Sequence, residues 1–278
     1  MTVDTNLLKV PGASLYYEVR GSGPVLLNIP GGPVDAGVFE EMGALLADRY
    51  TVVSYDPRGH SRSKLDGEPA DVPVSLHADD AAALLDAFGS EPAFVHGSSG
   101  GGTIGLELVK RHGDKVHTLV AHEPPVMELL PDRDRWHALF EDIVATYRNQ
   151  GAFPAMGKFG AAVEEGGPSY SEQQGEPTPA MQEMFARMMA GNNDFFFGHE
   201  ILSIGHYVPD IEALKAAPTR IVVGVGKASQ EQGACRAGKA LAAALGIEPT
   251  YFEGAHGGAG APEEVFAERL DEVLRGAS

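Results

Sequence analysis

Gly97-Ser98-Ser99-Gly100-Gly101 stands where a short apolar run, Ala93 to His96, gives way to a helical pattern beginning near Gly102. Small residues on both sides of a serine let the backbone take a tight, strained turn. Such a turn lifts the hydroxyl clear of the chain beside the N-terminus of the next helix. Ser99 is therefore the candidate nucleophile. A serine hydroxyl reacts poorly near neutral pH unless a base takes its proton. Of the ten histidines, His256 is best placed, because Gly254-Ala255-His256-Gly257-Gly258 falls between the last strand and the last helix. His60 and His77 lie in an early loop and a helix start. His96 is inside the nucleophile's own strand, and His199 and His206 belong to a long helical insertion.

Acyl transfer also needs donors aimed at a developing oxyanion. The Gly100 amide, directly after Ser99, is one. The loop Pro30-Gly31-Gly32-Pro33 offers the other, with the Gly32 amide favoured over that of Gly31. A merely structural turn is the alternative for that loop. A third group, a carboxylate that orients the histidine, is expected soon after the strand Arg220 to Val225. There the chain reads Gly226-Lys227-Ala228-Ser229-Gln230-Glu231, with Ser229 about where an acid would be usual. A neutral serine cannot stabilise an imidazolium. Glu123 is the preferred acid: it ends the strand that follows the nucleophile's helix, 24 residues after Ser99, room enough for one helix, a turn and a strand. Glu231, or no acid at all, is the alternative.

Positioning these groups requires alternating strands and helices. Leu7 to Val19 alternates around Pro11-Gly12 as a hairpin, Val25 to Ile29 is a buried strand, Val38 to Leu46 a helix, and Tyr50 to Tyr55 a strand. The helical pattern from Ser75 to Phe88, the strand to His96, a helix to about Arg111 and the strand Val116 to Ala121 follow. From 126 to 209 strand signals vanish. Helical, Met-rich and aromatic segments replace them, with loops at Gly166-Gly167-Pro168 and Gly175 to Pro179. The alternation then resumes with Arg220 to Val225, Gln230 to Leu245, Pro249 to Phe252 and Glu263 to Leu274. The expected class is α/β, a mostly parallel sheet flanked by helices, with a core of residues 1–125 and 210–278 and a helical cap of residues 126–209. Trp136, the only tryptophan, and Phe195-Phe196-Phe197 fall in the cap, where they either line an apolar pocket over Ser99 or pack the cap itself.

A chain of 278 residues with 43% hydrophobic residues can bury about 75% of its unfolded surface. A net charge of −18 argues against a nucleic-acid partner, which would need clustered Lys and Arg. Cys235, the lone cysteine, cannot form an internal disulfide and reads as helix packing. The N-terminus lacks a basic region followed by an apolar run, and no stretch reaches the roughly 18 apolar residues of a membrane span. A cytoplasmic protein with no membrane partner is the expectation. No pair of His or Cys residues has convincing metal-ligand spacing, so neither metal nor cofactor is expected.

Four segments together resemble the α/β-hydrolase family over nearly the whole chain: the Pro30-Gly31-Gly32 loop, Tyr55-Asp56-Pro57-Arg58-Gly59-His60-Ser61, the Ser99 elbow and the Gly254-Ala255-His256 turn. Within it the chain is similar to zearalenone-type lactonases, in which a Ser-Ser-Gly elbow accompanies a His-Glu-x-Pro segment whose glutamate is the triad acid; here that segment is His122-Glu123-Pro124-Pro125. The resemblance implies a cofactor-free esterase or lactonase acting on a small molecule through an acyl-enzyme on Ser99. It weakens across the cap, where substrate choice is made. Other reactions on the same triad, carbon–carbon hydrolysis or cofactor-free haloperoxidation, stay open, as does a weakly catalytic ligand-binding protein. The aspartate nucleophile of dehalogenases is excluded, since position 99 is serine.

Overall fold

Alternating side chains on either side of Pro11-Gly12 form an antiparallel hairpin, β1 (Asp4–Val10) and β2 (Ala13–Arg20), with Gly12 at φ +79° in the turn. The structure, a computed structural model, describes residues 3–168 and 178–276. The loop expected at Gly175 to Pro179 therefore lies, up to residue 177, outside the described residues. Next come β3 (Val25–Ile29), β4 (Thr51–Tyr55) and β5 (Lys64–Leu65), then β6 (Ala93–Ser98), β7 (Val116–His122), β8 (Arg220–Gly226) and β9 (Thr250–Phe252). They form one sheet in the order β1-β2-β4-β3-β6-β7-β8-β9, parallel from β4 to β9, with β5 added beside β2. Two-residue β5 carries no alternation, so no sequence pattern marks it.

Because successive strand side chains point to opposite faces, the sheet feeds two cores. Leu27, Val53, Val95, Leu119 and Val223 face one side, while Leu26, Val52, Val120, Val222 and Phe252 face the other. The second side is covered by α1 (Glu40–Leu46) and the last helix of the chain. The first is covered by α2 (Val74–Asp86) and α3 (Gly100–His112). α1 starts two residues later than the apolar pattern suggests, because Asp35 caps a 3₁₀ turn over Ala36–Phe39.

Between β7 and β8 lie α4 (Arg133–Gln150), α5 (Ala152–Glu164) and α6 (Pro179–Arg187), the last capped by Thr178. The chain runs on through two π-helical turns, Met188–Asn192 and Phe196–Glu200, to the short helix Ile201–Gly205. α7 (Ile211–Ala216) leads into β8, and α8 (Gly233–Leu245) and α9 (Glu263–Leu274) complete the fold. Polar contacts fasten the helical layer to the core. Arg187 binds Asp35 at 2.6 Å, Asn192 Nδ2 donates to the Pro33 carbonyl at 3.0 Å, and Tyr207 donates to Glu107 at 2.9 Å. Among the described residues no helix is long and apolar enough to cross a membrane.

Candidate active site

At the C-terminal edge of the sheet, β6 turns sharply into α3, and Ser99 sits in the turn with φ 54° and ψ −123°. A non-glycine residue rarely adopts positive φ, and such strain concentrates at functional positions. Its neighbours explain how the turn closes. A Cβ on Gly97 would strike the Gly101 carbonyl, and one on Gly101 would strike the Ile29 carbonyl, so only glycine fits at either place. The Ser99 amide donates to the His122 carbonyl at 2.9 Å, tying the elbow to β7.

Glu123, the residue after β7, is also strained, with φ 47°. Its amide donates to the Gly224 carbonyl at 2.9 Å, and its side chain turns in, fully buried. His256 Nδ1 lies 2.6 Å from Oε2. Oε1 accepts the Gly226 amide at 2.8 Å and the Ser229 hydroxyl. Burial alone would raise the carboxyl's pKa. The hydrogen bond and charge of His256, with the Ser229 hydroxyl, outweigh it and hold Glu123 down to about 2. It is therefore ionised at neutral pH. His122 itself, wedged against Phe252 and Phe266, is pushed down to about 4 by burial and stays neutral.

Where an acid is expected after β8, the structure instead brings Glu123, just past the end of β7, onto His256, and Ser229 meets that carboxylate as a hydrogen-bond donor. Glu231 is exposed and does not bond to His256. Sequence reasoning located Ser229 but missed its partnership. The bond joins groups 106 residues apart, and only the pairing of β7 with β8 brings them together.

Ser99, His256 and Gly32 line a cavity of about 50 Å³ and also a wider cleft of about 490 Å³ beside it. Ser99 and His256 face the same cavity without a direct hydrogen bond between them. The Gly32 amide, at φ 61°, makes no hydrogen bond among the described residues, and a Cβ on Gly100 would come within 3.5 Å of the Gly32 nitrogen. Gly100 opens α3, where first-turn amides lack intrahelical partners. Two unengaged donors therefore flank Ser99, beside the positive end of a helix.

Apolar groups wall the small cavity, with Trp136 and Phe140 from α4, Phe159 from α5, and Phe196, Ile201 and Ile204. Trp136 is both pocket wall and packing, since its ring abuts Gly233 at the start of α8. The Phe195-Phe196-Phe197 run divides: Phe196 reaches the cavity, Phe195 packs on Gly59 and His60, and Phe197 packs on Tyr147. The wider cleft carries Met156, Met181, Met184 and Met188, and its acidic side chains among the described residues are Glu41, Glu164 and Glu263, the last pushed up to about 7 by burial and by the charges of Glu41 and Glu264.

The histidines set aside in the sequence also have places. His60 Nε2 lies 2.8 Å from Glu200 Oε2, and His77 Nε2 lies 3.0 Å from the other oxygen as a charge contact poorly aligned for a hydrogen bond. All three side chains are buried. This cluster joins the loop after β4 and α2 to the cap's broken helix.

A strained serine at a strand-to-helix turn, with a buried acid–imidazole pair on the same sheet edge, defines a hydrolase-type site. The chain belongs to the alpha/beta hydrolase fold family, whose profile matches residues 24–188. It is 36% identical to the uncharacterized hydrolase YraK of Bacillus subtilis over 99% of this chain and 97% of that protein. Among solved structures, a hydrolase from Pseudomonas aeruginosa superposes with a TM-score of 0.77 at 20% identity, covering 99% of both chains. The enol-lactonase from Burkholderia xenovorans superposes at 0.69 and 16% identity, covering 97% of both. These two likenesses concern the fold.

Proposed function

We propose that this hydrolase is a serine esterase or lactonase working through an acyl-enzyme on Ser99. The observation that carries the reading is the buried 2.6 Å contact between Glu123 and His256 Nδ1, which leaves Nε2 free for the cavity it shares with Ser99. His256 takes the Ser99 proton as the hydroxyl attacks the acyl carbon. The carbonyl oxygen gathers charge facing the Gly32 and Gly100 amides, and Glu123 stabilises the imidazolium. The carbon–oxygen bond breaks and the leaving alcohol takes the proton from His256. In a lactone that alcohol stays tethered to the acyl group. Water, deprotonated by His256, then attacks the acyl-enzyme and releases the carboxylic acid and Ser99.

The walls limit the substrate. With no Lys or Arg among the described residues along either cavity, neutral apolar esters and lactones fit, while the carboxylate product meets acidic residues that favour its departure. The solved enol-lactonase with the same fold is consistent with lactone chemistry, as is the sequence resemblance to zearalenone-type lactonases. The test is incubation with a neutral ester series, several lactones and zearalenone, with products identified by mass spectrometry and Ser99→Ala as control. Acid product from the wild type alone supports the reading. Cleavage by both, or products of carbon–carbon scission or halogenation, overturns it.

A further inference from the structure

We propose that Ser229 is a positioning residue of this site: its hydroxyl clamps Glu123 Oε1 so that Oε2 is held on the His256 ring. The inference rests on the reading of Glu123 as the triad acid. Ser229 is fully buried, its hydroxyl donates to Glu123, and its oxygen stands 3.2 Å from the Gly226 carbonyl. The second clamp is the Gly226 amide at 2.8 Å. Gly226 allows the approach, since a Cβ there would crowd the Ser229 oxygen and the carbonyls of Gly254 and Ala255 just before His256. The end of β8 and the turn after it thus contribute no charge to the acid–imidazole pair, yet they fix the carboxylate that stands at the end of β7.

The clamp is also electrostatic. A carboxylate that accepts two donors on one oxygen is less basic than one that accepts a single donor. The groups facing Glu123 are few: His256, the neutral His122, Ser229 and the buried Cys235 on α8, whose thiol is pushed up to about 11 by burial and the Glu123 charge, with Lys239 acting in the opposite sense. Removing the hydroxyl leaves the carboxylate more basic, so it holds the proton on the coupled acid–imidazole pair more tightly. The acid limb of Ser99 reactivity then moves to higher pH.

The experiment follows the rate of Ser99 labelling by a fluorophosphonate between pH 4 and 9, with circular dichroism confirming the fold of each variant. Ser229→Ala is expected to label about tenfold more slowly at neutral pH, with its acid limb displaced upward. Ser229→Thr, which keeps the donor, is expected to retain the wild-type limb. A limb position does not depend on how much protein is folded. Wild-type rate and limb in Ser229→Ala would overturn the proposal, as would a slower rate on an unmoved limb or equal displacement in the Thr variant. Failure of the wild type itself to label at Ser99 would instead overturn the serine-hydrolase reading.

Discussion

Replacing Glu200 with glutamine should unfasten the cap from the core by an amount the structure specifies. Glu200 is buried between His60 and His77. Burial would raise its pKa, but attraction to the two histidines and the His60 hydrogen bond hold it near 2, against an ordinary 4.5. At 1.36 kcal/mol per pH unit, that fall corresponds to about 3 kcal/mol of stability. A depressed carboxyl contributes in full above its unfolded value and loses its contribution as the pH falls from about 4.5 toward 2. His60 is raised despite burial, through the Glu200 charge and hydrogen bond, so its contribution is complete below 6.5 and fades above its folded value. The window of greatest stabilisation therefore runs from about pH 4.5 to 6.5. Glutamine copies the shape of the protonated acid. Urea unfolding at pH 5.5, followed by the fluorescence of the single cap tryptophan, Trp136, should show Glu200→Gln about 3 kcal/mol less stable, with the gap shrinking to about half by pH 3. A gap below 1 kcal/mol at pH 5.5, or one that ignores pH, would refute the reasoning.

Glu123→Gln should lower kcat on the order of 10³- to 10⁴-fold with little change in KM, measured on whichever ester or lactone the wild type cleaves, because an amide neither fixes the tautomer nor stabilises the imidazolium. Gly101→Ala should destabilise the fold by about 1–3 kcal/mol, read as a lower thermal midpoint, since the new methyl meets the rigid Ile29 carbonyl rather than a movable side chain. Gly233→Ala should instead displace the Trp136 ring into the small cavity, shifting tryptophan emission and raising KM while leaving fluorophosphonate labelling of Ser99 intact.

The tight turn around Ser99 was legible because its requirement is local. Only glycine fits at 97 and 101, and a strand must precede and a helix follow, all visible within twenty residues. The alternation of strands and helices was readable for the same reason, with errors of one to three residues at helix starts such as Glu40 and Gly233, where a 3₁₀ turn or an irregular loop intervenes. What escaped was long-range or depended on helix phase. His60 and His77 looked unremarkable because their carboxylate stands more than 120 residues away, on a cap helix whose π-turns no periodicity announces. The three consecutive phenylalanines could not be apportioned from sequence, since neighbouring helical side chains diverge by about 100° and the broken helix shifts the phase again.

The position of the acid follows from the sheet itself. β7 and β8 are parallel neighbours, and just past the end of β7 the Glu123 amide bonds to the Gly224 carbonyl of β8 while the Gly226 amide at the end of β8 bonds back to the Glu123 side chain. The ends of β7 and β8 therefore form one hydrogen-bonded unit beneath the His256 loop, and a carboxylate rooted in either strand can approach the same imidazole. Rooting it in β7 has a conformational cost. At φ 47° Glu123 adopts a backbone that glycine would take without strain, of order 1–3 kcal/mol, yet glycine carries no acid. Three hydrogen bonds to the buried side chain, one from the last residue of β8 and one from the turn after it, offset that strain and keep the carboxylate charged. Strain at residue 123 and a hydroxyl at residue 229 are thus two halves of one solution.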